Sequence, residues 1–236
     1  MKKTIKKMLG ITAAAALTLS MGSMALIGCG DGKGKDYVFE AEDAILGGSA
    51  VVEEKHTWAG ADKLGEGDDV TIVGYLGVPG NSVTWKINAA SACEATLTFT
   101  AASIVPGDNT NGSSMQWGKD SVTWIVKEID TSKNEIFKVT VNDSDVALKG
   151  TLPGLNESIT FESDADRAKV MYFYDNGYNN HSTCTAKVNL KEGENNIVLT
   201  IVGQGINLDK LTVKSPAKLT FEKTDNSDKV PPSYGG

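Results

Sequence analysis

Two glutamates two residues apart, Glu40 and Glu42 in Tyr37-Val38-Phe39-Glu40-Ala41-Glu42, are the first residues whose spacing admits chemistry. On a strand, positions i and i+2 share a face, so the two carboxylates lie side by side and repel. Such a pair is stable in open water or around a cation. Calcium suits it, because Ca²⁺ takes several carboxylate or carbonyl oxygens at about 2.3–2.6 Å. A solvated acidic edge is the plain alternative. A third acid shifts the balance. In Gly205-Ile206-Asn207-Leu208-Asp209-Lys210-Leu211-Thr212-Val213, Asp209 shares the strand face of Leu211 and Val213. A carboxylate drawn toward a core needs a partner, and a cation shared with Glu40 and Glu42 would provide one.

A second kind of chemistry lies in the loops. Tyr174-Asp175-Asn176-Gly177-Tyr178-Asn179-Asn180-His181-Ser182 offers two tyrosines, three asparagines and a histidine with little apolar packing demand. An aromatic plate with a few polar groups matches a sugar, which has apolar C–H faces and polar edges. Tyr178, backed by His181, is the candidate plate. Trp58 and Trp117 stand in Gly-flanked loops, where each is either a binding aromatic or a lid over the core. Trp85 and Trp124 fall within alternating strands and are expected in the core.

Three stretches, two of them bearing these acids, carry a resemblance. They are the opening Glu40-Ala41-Glu42-Asp43, the closing Asn207-Leu208-Asp209-Lys210-Leu211-Thr212-Val213, and Gly74-Tyr75-Leu76-Gly77-Val78-Pro79-Gly80-Asn81-Ser82-Val83-Thr84-Trp85 between them. Together with the turn Leu190-Lys191-Glu192-Gly193-Glu194-Asn195-Asn196-Ile197, they resemble carbohydrate-binding modules of families 6 and 35 over about 37–214. The resemblance implies a β-sandwich jelly roll that binds polysaccharide, with a structural calcium tying the first strand to the last. It assigns Glu40, Glu42 and Asp209 to the calcium, and Tyr75 and Asn207 to the sugar. Those modules usually carry a second aromatic, a tryptophan, before the Leu-x-x-Gly turn. This chain has none there, and Tyr178 takes its place.

Other chemistries find little support. A nucleophilic triad needs a positioned histidine, and only His56 and His181 exist. Neither Gly-x-Ser-x-Gly nor His-Glu-x-x-His occurs. The acids Glu162, Asp164 and Asp166 read as a solvated loop rather than a glycosidase pair. The chain is therefore read as a non-enzyme. Net charge is −7, and only one arginine, Arg167, is present. That balance opposes nucleic-acid binding, which needs a basic surface.

The elements that must position these residues begin after an export signal. Residues 1–28 carry four lysines at the start, then an uncharged apolar run ending in Leu26-Ile27-Gly28-Cys29. This is a secretory signal layout, and its end resembles the bacterial lipobox, with Cys29 lipidated after cleavage. Without the four lysines the mature chain is near −11. The domain is expected at the cell surface or membrane, held by acyl chains. Residues 29–36 form a flexible tether. Cys93 and Cys184 remain, and an even remainder in an oxidising compartment points to a disulfide.

Residues 37–214 read as an all-β sandwich. Short runs of Val, Ile, Thr and aromatics alternate with Gly/Asn/Asp/Pro clusters, and Val83/Trp85/Ile87, Leu97/Phe99 and Ile197/Leu199/Ile201 keep a strict period of two. Two polar stretches, 103–120 and 142–167, are read as loop insertions, and 215–236 as a disordered tail. An envelope or adhesion lipoprotein with this fold and no sugar binding is the competing reading.

Overall fold

The computed structural model describes residues 34–53, 71–103, 105, 121–160 and 181–232, with backbone alone over 121–126 and 155–160. The export signal, Cys29, Trp58, Trp117 and Tyr178 lie outside the described residues, and the side chain of Trp124 does too. In chain order the strands are β1 (Lys35–Glu40), β2 (Ile45–Gly47), β3 (Val51–Glu53), β4 (Ile72–Leu76), β5 (Ser82–Ala89) and β6 (Cys93–Ser103). They continue with β7 (Ser121–Val126), β8 (Ile129–Asp130), β9 (Phe137–Val141), β10 (Ser144–Val146), β11 (Thr151–Leu152) and β12 (Leu155–Thr160). The last four are β13 (Ser182–Leu190), β14 (Gly193–Ile201), β15 (Ile206–Ser215) and β16 (Leu219–Phe221). Among the described residues the only helical turn is a 3-10 turn at Thr131–Lys133.

Two six-stranded antiparallel sheets face each other. One has the order β13-β6-β15-β4-β3, with β1 also on β15; the other has β10-β9-β14-β5-β16, with β2 also on β5. The alternation in the sequence is the cause. Val83, Trp85, Ile87 and Ala89 of β5 are buried, while Lys86 and Asn88 between them are exposed. Trp85 of one sheet meets Phe99 of the other at 5.9 Å between ring centroids, tilted by 59°. A single core of residues from both sheets follows, so the all-β sandwich expectation holds.

The Leu190-to-Ile197 turn shows why its pattern exists. Gly193 has φ of 85°, a left-handed conformation that a side chain would strain. Asn195 is fully buried yet satisfied: Oδ1 accepts from Lys191 N–H and Asn142 Nδ2, both at 2.9 Å, and Nδ2 donates to the carbonyls of Lys191 at 2.8 Å and Gly193 at 2.9 Å. Asn195→Ala orphans several of these groups at once. It is expected to cost about 3 kcal/mol in denaturant unfolding; a cost under about 1 kcal/mol contradicts this clamp.

Three expectations are corrected. Cys93 and Cys184 are both free and buried. They sit on neighbouring strands, but Cys184 lies opposite Phe99 and Cys93 opposite Leu190. Six residues of register at ~3.3 Å each separate them by roughly 20 Å, far beyond disulfide reach. Burial also pushes the Cys184 thiol up to about 12. Dithiothreitol is therefore expected to leave the thermal midpoint unchanged, and native Cys184 to resist iodoacetamide. A reductant-sensitive midpoint would restore the bridge.

The stretch from 142 is not a bare insertion. Asn142 and Asp143, with φ of 50° and 65°, form a two-residue hairpin between β9 and β10, and β11 and β12 follow. Positive φ at both positions is the geometry such hairpins need, and Asn and Asp tolerate it. The tail is not structureless either. β16 pairs with β5, burying Leu219, and Phe221 packs on Phe39 at 5.3 Å.

Candidate functional site

Four sequence-predicted residues gather on the first sheet's central strand, β15, or beside it. In β4 against β15, Leu76 pairs with Ile206 and Val73 with Leu208. Two residues, Gly74 and Tyr75, thus oppose one, Asn207. This is a β-bulge, a device that kinks a strand and re-aims a side chain. Tyr75 adopts φ of 54°, rare for an aromatic residue, and is half-buried.

Its conformation is held by a residue the sequence reading passed over. Asn81, only 4% exposed, donates from Nδ2 to the Tyr75 carbonyl and to Ser49 Oγ, both at 2.8 Å. Its own Oδ1 accepts from Ser49 N–H at 3.2 Å. The Pro79-Gly80-Asn81 turn was the available signal, since Asn in such turns commonly binds nearby backbone.

Asn207 pairs with Ala102 of β6, and both are buried. Their neighbours Leu208 and Ala101 belong to the sandwich core, so Asn207 and Ala102 lie on the opposite face of the sheet. His181 directly precedes Ser182, the partner of Ala101, and falls level with Ala102. The end of this sheet therefore sets His181, Asn207 and Tyr75 in one row across four strands. Asn207 is 5% exposed, so its face is covered rather than open.

The acids gather farther along β15. A second bulge occurs there: Leu208 pairs with Ala101 and Lys210 with Thr100, leaving Asp209 as the extra residue. At this point β15 exchanges one edge partner, β4, for another, β1. Glu40 pairs with Lys210, and Ala41 N–H donates to the Asp209 carbonyl at 2.9 Å. Adjacent strand residues normally point to opposite faces. The bulge lets Asp209 and Lys210 meet, with Lys210 Nζ 2.9 Å from Asp209 Oδ2.

Burial raises the Glu42 carboxyl to about 7, with the charges of Glu40, Asp43 and Asp209 adding to the effect. Glu40 is raised too, by burial first, against the opposing pull of Lys210. Glu42 Oε2 is buried and makes no hydrogen bond. The donor set is hard oxygen, the chemistry Ca²⁺ or a similar cation takes, and the orphaned oxygen is the kind of atom a cation satisfies. As they stand, though, no three His, Cys, Asp or Glu side chains among the described residues are gathered tightly enough to ligate one ion. Asp209 is turned to Lys210. The residues fit a cation in kind but not in this arrangement, in which Asp209 pairs with Lys210.

A separate groove of about 500 Å³ lies over β5, lined by residues that include Thr84, Lys86, Asn88, Glu194, Phe221 and Lys223. None of the sequence-predicted site residues lines it.

No family model matches the chain, and no curated protein was found similar to it. Among solved structures, it is similar to a family 35 carbohydrate-binding module from Clostridium thermocellum. The identity is 20% and the TM-score 0.42, covering 76% of this chain and 97% of that one. It is similar to the C-terminal family 6 module of LamC from Zobellia galactanivorans at 14% identity and a TM-score of 0.42, covering 76% and 99%. A family 35 module from an environmental isolate stands at 17% and 0.41, covering 80% and 99%. Likenesses this distant do not assign a function, and the sandwich rests on the strand order and register above.

Proposed function

We propose that this chain is a non-catalytic carbohydrate-binding domain, tethered at the cell surface through a lipidated Cys29 and stabilised by a calcium ion at Glu40, Glu42 and Asp209. The observation that supports the sugar is the bulge that sets Tyr75 opposite Asn207 at the end of one sheet. Both residues are mounted on strands, and Asn81 holds the Tyr75 backbone, an arrangement that suits a polysaccharide reader. The loop bearing Tyr178 and the loop bearing Trp58 are further contributors in this reading. The cation is supported by the orphaned Glu42 oxygen and by three carboxylates within mutual electrostatic reach.

The tether fits this arrangement. Lys35 pairs with Ser215, at the far end of β15 from Asn207. Eight residues at ~3.3 Å put about 26 Å between them. A membrane anchor preceding Lys35 would therefore meet the domain at the pole away from Tyr75, which supports a binding end facing outward.

The test is a broad plant and microbial glycan array probed with the wild-type protein and with Tyr75→Ala. Binding that disappears in the variant supports the reading. Binding that survives in Tyr75→Ala but is lost in Lys86→Ala moves the site to the groove over β5. One observation favours the competing envelope role: Asn207 is almost fully buried, as a structural amide would be. A silent array supports that reading.

A further inference from the structure

The segment after β15 crosses the acidic corner and closes it. Residues 41–44 carry the chain from β1 in one sheet to β2 in the other, so their carbonyls have no ladder to join. Three successive carbonyls are met instead by this segment. The Asn226 side-chain amide donates to the Glu42 and Ala44 carbonyls, each at 2.7 Å. Thr224 N–H donates to the Asp43 carbonyl at 2.8 Å, and Lys223 Nζ lies 2.6 Å from Asp43 Oδ2. The segment is fixed at both ends. Upstream, Phe221 packs on Phe39, the residue before Glu40; downstream, the Lys229 carbonyl accepts from Val52 N–H at 2.8 Å.

We propose that 219–229 is a strap and that Asn226 is its positioning residue, fixing the backbone on which Glu42 is mounted. An asparagine amide has two N–H donors. Here both go to carbonyls flanking Asp43, so one side chain sets the turn of the corner. Residues 40–44 then hold Glu40 and Glu42 in a fixed relation to Asp209, whose carbonyl takes the Ala41 N–H. The consequence for cation affinity rests on the calcium reading above; the geometry does not.

The test compares wild type with Asn226→Ala and Asn226→Leu, the second keeping bulk while removing both donors. Hydrogen exchange is read at the Ala41 and Ala44 amides, and calcium binding by calorimetry. The expected result is folded variants with a thermal midpoint about 4–8 °C lower in EDTA. Exchange at the two corner amides rises at least tenfold, and calcium affinity falls roughly tenfold in both variants. Unchanged corner exchange in both variants overturns the strap. Equal calcium affinity in wild type and variants overturns the positioning role. Faster corner exchange in a protein whose wild type binds no calcium supports the strap and removes the calcium reading instead.

Discussion

Ending the chain after Lys214 is expected to lower the thermal midpoint by roughly 10–20 °C. The cut removes Ala217 and Leu219, both buried, and the Phe221–Phe39 contact. It also strips β5 of one of its two partners at Ile87–Ala89, leaving β14, and removes the donors that meet the 42–44 carbonyls. Burying one Leu or Phe side chain stabilises a fold by about 1.5–3 kcal/mol, and each orphaned carbonyl adds about 1 kcal/mol or more. The loss is therefore on the order of 5 kcal/mol. For a domain of this size each kcal/mol moves the midpoint by about 2–4 °C. Scanning calorimetry of the shortened chain against the full one reads it directly. A midpoint within about 3 °C of the full chain would return 215–236 to the status of a solvated tail.

The second large effect couples pH to calcium. Glu42 titrates at about 7 in the folded protein against an ordinary 4.5, through burial first and neighbouring acids next. A raised carboxyl has a sign opposite to the usual salt-bridged acid. Between those two values the folded state holds a proton that the unfolded state has lost. The stability it contributes is complete below about 4.5 and disappears as pH rises through about 7. In EDTA the midpoint should therefore fall between pH 5 and pH 8, by about 2–8 °C once the partial exposure of Glu42 is allowed for. A calcium ion at the proposed site would reverse this, because it would bind the ionised form. At pH 8, calcium at about a hundredfold its dissociation constant should raise the midpoint by roughly 5–10 °C and flatten the pH dependence. Glu42→Gln should lose both the slope in EDTA and the response to calcium. A midpoint that rises with pH in EDTA contradicts the raised Glu42, and one indifferent to calcium at pH 8 removes the ion.

The legible parts of the fold are those written in local period. Val83/Trp85/Ile87 and Ile197/Leu199/Ile201 alternate because one face of each strand meets the other sheet, and all six are fully buried. Short strands carry too few residues for a period to show, and β2, β8, β10, β11 and β16 went unread for that reason. The tail misled by composition. Lys223 and Asn226 look like disorder, yet the side chain of each meets a carboxylate or carbonyl of the corner, and Thr224 between them adds its backbone N–H. The cysteines misled because compartment arguments count thiols and ignore register. Within the site, face-sharing expected Asp209 to be a buried acid needing a partner, and it is buried, but beside Lys210 rather than on the core face of Leu211. It could not foresee the bulge that gives that acid to Lys210, since bulges depend on how three strands meet. Asn81 sat in a turn that marks it as a backbone binder, but the Tyr75 conformation it holds has no sequence pattern of its own.

In the proposed function, the sheet end bearing Tyr75 and Asn207 holds a sugar. The most direct measurement is titration calorimetry of the best array glycan into wild type and Tyr75→Ala, with the thermal midpoint of each recorded alongside. Loss of one aromatic face from a sugar site predicts affinity weaker by about tenfold to a hundredfold, with a midpoint within a few degrees of wild type. Equal affinity in the two proteins, at equal midpoints, contradicts the claim.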